Sequence, residues 1–336
     1  MRVLILGKGR VAKAINYYLK KNKAISKIAF FSNEKQVKNF DILIGALAGE
    51  IGEESLKLAL KYKKNLIDLT DLEPEFYLKK KKEIEKRGII VIPGCGFCPG
   101  LVNLILGYEL SKQKNVKEIE VKAGTLSSKK FFFPFLWCFE DLILEHRIPS
   151  WQIISGKKVK FPPFAGYQKE IFSGIEAETY FTESELEYFA KNYEIKNFKF
   201  RIIRPFGFFW FFQYLNNCGF LEKENLSKTK KILESKKEDN LTLAEIKVLA
   251  AGRKIIWQIK SFSKKGERLN SIQKITGLAP AIVTQFIFEN KIRNKGILLM
   301  EDIAKDKNIF QKILGRFKKE GIEVTEVKPR HSLNLN

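Results

Sequence analysis

The first twelve residues hold a set of groups suited to binding a pyrophosphate. Arg2 to Leu6 is an apolar run, and Gly7-Lys8-Gly9-Arg10-Val11-Ala12 follows at once. Gly7 permits a tight turn, Gly9 has no Cβ to obstruct a phosphate, and Ala12 lets a helix pack close to the strand. Arg10 and Val11 open that helix, whose unpaired N–H groups point at the anion. A Gly-x-Gly-x-x-Ala triplet alone is a weak signal. Between a strand and a helix it predicts dinucleotide binding through Gly7, Gly9, Arg10 and Val11. Ser32 stands where a carboxylate would hold a ribose 2′-hydroxyl, and a hydroxyl beside Asn33 and Lys35 suits a 2′-phosphate better. The expected cofactor is therefore NADP, with NAD as the alternative.

Other chemistry is thinly represented. Cys95 and Cys98 have C-x-x-C spacing, but there is no second such pair and the histidines are His146 and His331 alone, so no metal site is expected. With Cys138 and Cys218 the cysteines number four, too few for a disulfide scaffold in 336 residues. Lys and Arg total 61 against 38 Asp and Glu, a net charge of +23. Such a field draws anions. Most lysines fall in helical stretches such as Tyr77 to Lys86 and read as solvated faces, and no array interleaved with aromatics suggests RNA. The apolar runs are too short to span a bilayer and the first one lacks signal-peptide form, so a soluble, cytoplasmic protein without membrane or nucleic-acid partners is expected.

The elements that must carry the turn alternate through the first third. Strands are predicted at Arg2–Leu6, Ile25–Phe31, Asp41–Leu47, Asn65–Leu69 and Gly88–Ile92, with helices at Val11–Lys20, Glu53–Tyr62 and Glu73–Arg87. This is a doubly wound parallel α/β sheet, in which ligands bind beyond the carboxyl ends of the strands. Ala46, Leu47, Thr70 and Gly96 stand at those ends and are expected to touch the cofactor. Too few residues separate Ser32 from Asp41 for a helix and a further strand, so the sheet should lack its outer third strand. Beyond residue 115 the alternation is that of a mixed or antiparallel sheet, with strands at Val116–Ala123, Glu170–Phe181, Phe198–Arg204, Leu241–Ala250 and Lys254–Phe262. Residues 222–240 read as a polar surface loop. The expected domains are 1–115, completed by 274–330, and 116–273.

In the order and spacing of its short motifs the chain resembles the saccharopine dehydrogenase family, in its compact lysine-dehydrogenase-like branch. The motifs are Gly45-Ala46-Leu47, Asp68-Leu69-Thr70, Gly96 to Gly100, Trp137 to Leu142, Pro149, Gly156-Lys157, Arg204-Pro205-Phe206-Gly207, Gly219-Phe220 and Thr276-Gly277-Leu278-Ala279. The resemblance implies a Rossmann-type domain plus a second α+β domain. It also implies NAD(P)-linked oxidoreduction at the C–N bond of an amino acid or its secondary-amine conjugate.

On that resemblance the nicotinamide lies beside Ala46, Leu47 and the Gly94–Gly100 turn, and the substrate meets Cys98, Pro99, Gly100, Trp137, Arg204 and Thr276. Arg204 is open to two uses, a carboxylate fork or an interface ion pair. Cys98 stands where the family often has Asp, and Tyr180 to Ser184 lacks the additional arginine of saccharopine-type members. A carboxy-polyamine substrate, or a non-catalytic basic binding protein, are the alternatives. The aromatic run Phe206–Phe212 is read as a homodimer surface, and His146 as a helix C-terminal group.

Overall fold

The computed structural model describes residues 1–47, 51–70, 72–134, 138–184 and 186–327. In chain order the elements are β1 (Arg2–Leu6), α1 (Arg10–Leu19), β2 (Lys27–Phe30), a 3-10 turn (Glu34–Asn39), β3 (Ile42–Gly45), α2 (Glu53–Tyr62), β4 (Asn65–Asp68), α3 (Pro74–Lys79), α4 (Lys81–Arg87), β5 (Ile90–Ile92) and α5 (Leu101–Lys112). There follow β6 (Val116–Ser127), α6 (Phe139–Glu145), β7 (Ser150–Ile154), β8 (Lys157–Phe161), β9 (Gln168–Phe172), β10 (Ile175–Phe181), α7 (Glu187–Asn192), β11 (Asn197–Pro205), α8 (Phe208–Asn217), α9 (Lys223–Leu233), β12 (Asn240–Ala250) and β13 (Arg253–Ser263). The chain closes with α10 (Ser271–Phe288), β14 (Gly296–Ile297), α11 (Met300–Ile303), α12 (Lys307–Lys319) and β15 (Glu323–Val327). Two compact units result, one of Met1–Ser111 with Ile272–Glu320, the other of Lys112–Ser271 with the residues from Gly321 onward.

In the first unit six parallel strands run in the order β14-β5-β4-β3-β1-β2. Their unbroken apolar sequences follow from burial on both faces. The sheet ends at β2, because the 3-10 turn alone connects β2 to β3, and the expected third strand is indeed missing. β1 pairs with β2 on one side and β3 on the other, so the winding reverses between β1 and β3. Helix α5 is buried on every side from Leu101 to Glu109 and serves as core. Helix α10 lies against α1: a Cβ on Gly277 would stand 2.7 Å from Ala14 Cβ and 2.9 Å from its backbone carbon.

The second unit is built on a nine-stranded mixed sheet. Its main path is β15-β13-β12-β6-β11-β10-β9; β7 pairs with β11 and β8, and only β6 and β11 are parallel. Charges of opposite sign are paired across it, with Glu120 on β6 beside Arg201 on β11 and Lys247 on β12, and Lys122 on β6 reaching Glu170 on β9. These pairs let Lys122 and Arg201 lie almost wholly buried.

Several expectations change here. Residues 222–240 contain α9 in place of a loop, because Leu226, Thr229 and Leu233, sparse among lysines, still fall on one helical face, while Ile232 is exposed. The strand expected over Glu170–Phe181 is a hairpin, turned at Ser173-Gly174 where both residues have positive φ. The helix Glu73–Arg87 is broken at Lys80 into α3 and α4. β15, expected to complete the first domain, pairs with the free edge of β13. Alternation of polar and apolar residues marks a strand but does not choose its partner.

No helix among the described residues is long and apolar enough to cross a membrane. Gly277→Ala should lower stability by about 1–3 kcal/mol through overpacking against α1. Gly315→Ala, in α12, places a methyl with no atom within 4 Å. It should raise stability by about 0.5–1 kcal/mol through helix propensity. Urea denaturation of the two variants reads the opposite signs.

Candidate functional site

The carboxyl ends of the parallel strands bring together most of the residues singled out by type and spacing. At the reversal between β1 and β3, Gly7 has φ +124°, and a Cβ there would lie 2.1 Å from the Ala46 carbonyl oxygen. The Ala46 N–H donates to Leu6 at 2.7 Å, so the two strand ends are stitched at this point. Gly9 is different. Its φ of −69° suits any residue, and a Cβ would meet no protein atom within 4 Å. Gly9 is the N-cap of α1, with no side-chain cap and no acidic residue in the first turn. The positive end of the α1 dipole lies at this uncapped turn.

Along the strand ends, Ser32 and Asn33 are exposed after β2. The Ser32 hydroxyl donates to Gln36 Oε1 at 3.2 Å and accepts from Asn33 Nδ2 at 3.2 Å, an arrangement kept within the short turn. Glu34, the nearest carboxylate, is drawn away by Lys61 and Tyr62, which hold it below the usual carboxylate range. Ala46 and Leu47 are half-buried.

After β4 a buried polar cluster appears that the sequence reading passed over. Thr70 donates to Asp68 Oδ1 from its N–H at 3.1 Å and its hydroxyl at 2.8 Å, and Tyr77 donates to Oδ2 at 3.0 Å. Gly45 makes room, since a Cβ there would sit 2.1 Å from Asp68 Oδ1. Burial raises the Asp68 carboxyl to about 6 in spite of these donors. Thr70, expected to touch the cofactor, thus spends its hydroxyl on Asp68 and is only 2% exposed. The signal was available: one carboxylate ending an apolar strand beside a glycine-ended one.

The Gly94–Gly100 turn closes on itself by hydrogen bonds. Gly96 N–H donates to Pro99 and Leu101 N–H to Gly96, at 3.1 and 3.0 Å, and the Cys98–Pro99 peptide is cis. Gly100 has φ +133°, and a Cβ would fall 2.1 Å from the Gly96 oxygen. Its N–H donates to Asn103 Oδ1 at 2.9 Å. Thr276 on α10 faces this turn, with its Cγ2 3.5 Å from the Cβ position of Gly96, and Gln273 one turn earlier donates to the Arg10 carbonyl at 3.4 Å. Gly96, Cys98, Pro99, Gly100 and Thr276 therefore form one neighbourhood.

Cys95 beside it is buried, which pushes its thiol well up, and among the described residues no group of His, Cys, Asp and Glu could hold a metal ion.

Arg204 belongs to the second unit. It is 1% exposed, pairs with Glu145 and lies over the rings of Phe133 and Phe208. His146, at the C-terminus of α6, has Nδ1 2.7 Å from the Leu142 carbonyl and Nε2 3.2 Å from Tyr180 Oη. Burial, with the Arg204 charge nearby, lowers its pKa far below the ordinary value, so it stays neutral and structural. Glu140 pairs with Lys230 at 2.8 Å. In the aromatic run Phe208 and Phe212 are core, whereas Trp210 is exposed. Trp137 lies outside the described residues.

A parallel sheet reversing at a glycine turn that opens an uncapped helix, joined to a mixed-sheet unit, defines a Rossmann-type α/β protein. The family model for the saccharopine dehydrogenase C-terminal domain matches residues 96–322. The chain belongs to the saccharopine dehydrogenase family. Among solved structures it is similar to apo saccharopine dehydrogenase (L-Glu forming) from Saccharomyces cerevisiae, at 17% identity and a TM-score of 0.76 over 97% of this chain and 100% of that one. Looser likenesses, with TM-scores of 0.47 and 0.46, are to C. glutamicum DAP dehydrogenase in complex with DAP and to an engineered D-amino acid dehydrogenase bound to NADP+. These are 11% and 12% identical, each over 90% of this chain and 93% of the other.

The raised Asp68 carboxyl has a direct consequence for stability. Its folded value of about 6 lies above the ordinary 3.8, so the stability of its protonated form is complete below pH 3.8 and is lost as pH rises through 6. Asp68→Asn removes this dependence. Between acid and neutral pH, the stability of wild type relative to the variant should fall by about 3 kcal/mol, as read by denaturation at a series of pH values.

Proposed function

We propose that this chain is an NAD(P)-dependent oxidoreductase acting at the C–N bond of an amino acid or its secondary-amine conjugate. The observation that carries the reading is the open space over Gly9 at the uncapped N-terminus of α1, beside a turn where Gly7 already approaches Ala46 too closely for any side chain. That space fits a pyrophosphate, which the amides of Arg10 and Val11 would hold. When bound, the nicotinamide supplies hydride acceptance or delivery.

What the protein contributes is position. Ser32, Asn33 and Lys35, exposed beyond β2, suit the 2′-phosphate of NADP and leave a 2′-hydroxyl without a carboxylate partner. Ala46 and Leu47 form one wall for the nicotinamide, and the Gly94–Gly100 turn with Thr276 the other. Both are low-profile surfaces that let a ring and a substrate approach backbone. Cys98, Pro99 and Gly100 are proposed substrate contacts in the first unit, and Arg204 is a proposed carboxylate contact in the second. Since Arg204 holds Glu145, a substrate carboxylate would take over that partner's place. The exposed Trp210 and Tyr214 on α8 are the proposed homodimer surface, and the proposed location is the cytoplasm.

NADPH at about 100 times its Kd should stabilise the protein by about 2.7 kcal/mol. Gly9→Val should leave the fold intact and weaken nucleotide binding at least about 10-fold. Ser32→Asp should shift the NADPH-to-NADH affinity ratio about 10-fold toward NADH. Titration calorimetry and thermal melts read all three, and the proposal is rejected when neither NADPH nor NADH raises Tm. Turnover of lysine, saccharopine and carboxynorspermidine side by side identifies the amine.

A further inference from the structure

Helix α8 starts without a side chain of its own to close the first turn. Its N-cap is Gly207, which has φ +88°. The N–H groups at such a start need acceptors, and Glu178 on β10 supplies them. The Gly207 N–H donates to Glu178 Oε2 at 3.0 Å and the Phe209 N–H to Oε1. Tyr167 Oη also donates to Oε2, at 3.4 Å. Glu178 is 0% exposed, and a carboxylate at that depth requires donors. The positive end of the helix favours its charge as well.

The two amides held in this way flank Phe208. That residue is itself buried, and its ring centroid lies 5.7 Å from the Arg204 guanidinium carbon. Glu145 pairs with one guanidinium nitrogen, and the Phe208 ring is a second boundary. Glu178 and Arg204 are direct partners in the register of β10 with β11, so both side chains leave the sheet on one face. We propose that Glu178 is a positioning residue: by holding the amides on either side of Phe208 it fixes the ring that borders Arg204, and with it the direction of the guanidinium. The use of that guanidinium for a substrate carboxylate rests on the oxidoreductase reading, whereas the cap and its effect on Arg204 do not. No motif marks Glu178. In sequence it is one of several charged residues along Glu170–Phe181, and its burial sets it apart only in the folded chain.

The test uses the full chain at about pH 8, where the carboxyl, which burial raises and the two amides lower, is ionised. Glu178→Met keeps bulk and removes both acceptors, whereas Glu178→Gln keeps one oxygen. Amide hydrogen exchange at Gly207 and Phe209 should quicken at least about 10-fold in Glu178→Met, with β12 and β13 amides within about twofold of wild type. Glu178→Gln should quicken one of the two amides only. The Arg204 Nε–H resonance, shifted by the aromatic ring beside it, should move in Glu178→Met in the same direction as in Phe208→Leu. For whichever of lysine, saccharopine and carboxynorspermidine the wild type turns over, Glu178→Met should lower kcat/KM by about 10- to 100-fold, chiefly through KM, with nucleotide Kd within about twofold.

Unchanged exchange at both amides in Glu178→Met overturns the proposal, as does an Arg204 resonance that stays in place. A uniform rise across β12 and β13 likewise overturns it, because it reports general loosening of the unit. If Glu178→Met does not fold, Glu178→Gln must show the one-sided quickening and a displaced Arg204 resonance, and their absence is decisive. A wild type that binds no nucleotide defeats the oxidoreductase reading, while the exchange pattern and the Arg204 resonance still decide the cap.

Discussion

The ligand end of this protein depends on backbone approaching backbone more closely than a methyl group permits. At Gly7 the end of β1 meets Ala46 at the end of β3, and a Cβ would lie 2.1 Å from a carbonyl oxygen. Any other residue would push the first and third strands apart where the winding reverses, and the start of α1 would move with them. Gly100 against Gly96, Gly107 against Glu301 and Gly277 against Ala14 repeat the device at the turn, the core helix and the helix pair. Four loops and helices are thereby held at fixed depth without large side chains. Gly9, two residues after Gly7, is by contrast free of any protein atom within 4 Å of its Cβ position.

Several of the buried polar groups have donors and acceptors closed around them. Asp68 is surrounded by Thr70 and Tyr77, and Asn103 accepts the Gly100 N–H. In the second unit, Glu178 accepts from the Gly207 and Phe209 amides, and Arg204 and Glu145 neutralise one another. Removing one member of such a set leaves an uncompensated polar group, which costs more than the intact set contributes. The positive charge of the chain plays little part in these sets. Much of it lies on exposed lysines of α4, α9 and β8, where screening makes individual pairs weak.

How much was legible varied with the range of the interaction. The glycine turn between β1 and α1, the buried parallel strands and the missing outer strand all follow from near neighbours in sequence, and each is found. Residues 222–240 were misread because lysine content masked a helical spacing. β15 was assigned to the wrong sheet because an edge strand's partner is set by which edge remains free. Thr70 and Arg204 were singled out by position, but their partners Asp68 and Glu145 decide what their polar groups do.

By itself the sequence determined the glycine turn, its place between strand and helix, and the alternation that makes one sheet parallel and the other mixed. These are local properties, carried by φ preference and by the period of apolar residues. Only the tertiary structure decided which glycines lie under a neighbouring backbone, that Arg204 is enclosed with Glu145, and that Gly107 on α5 lies under Glu301. Those contacts join residues far apart in the chain, and their geometry exists only once β14 has docked beside β5 and α5 has been buried.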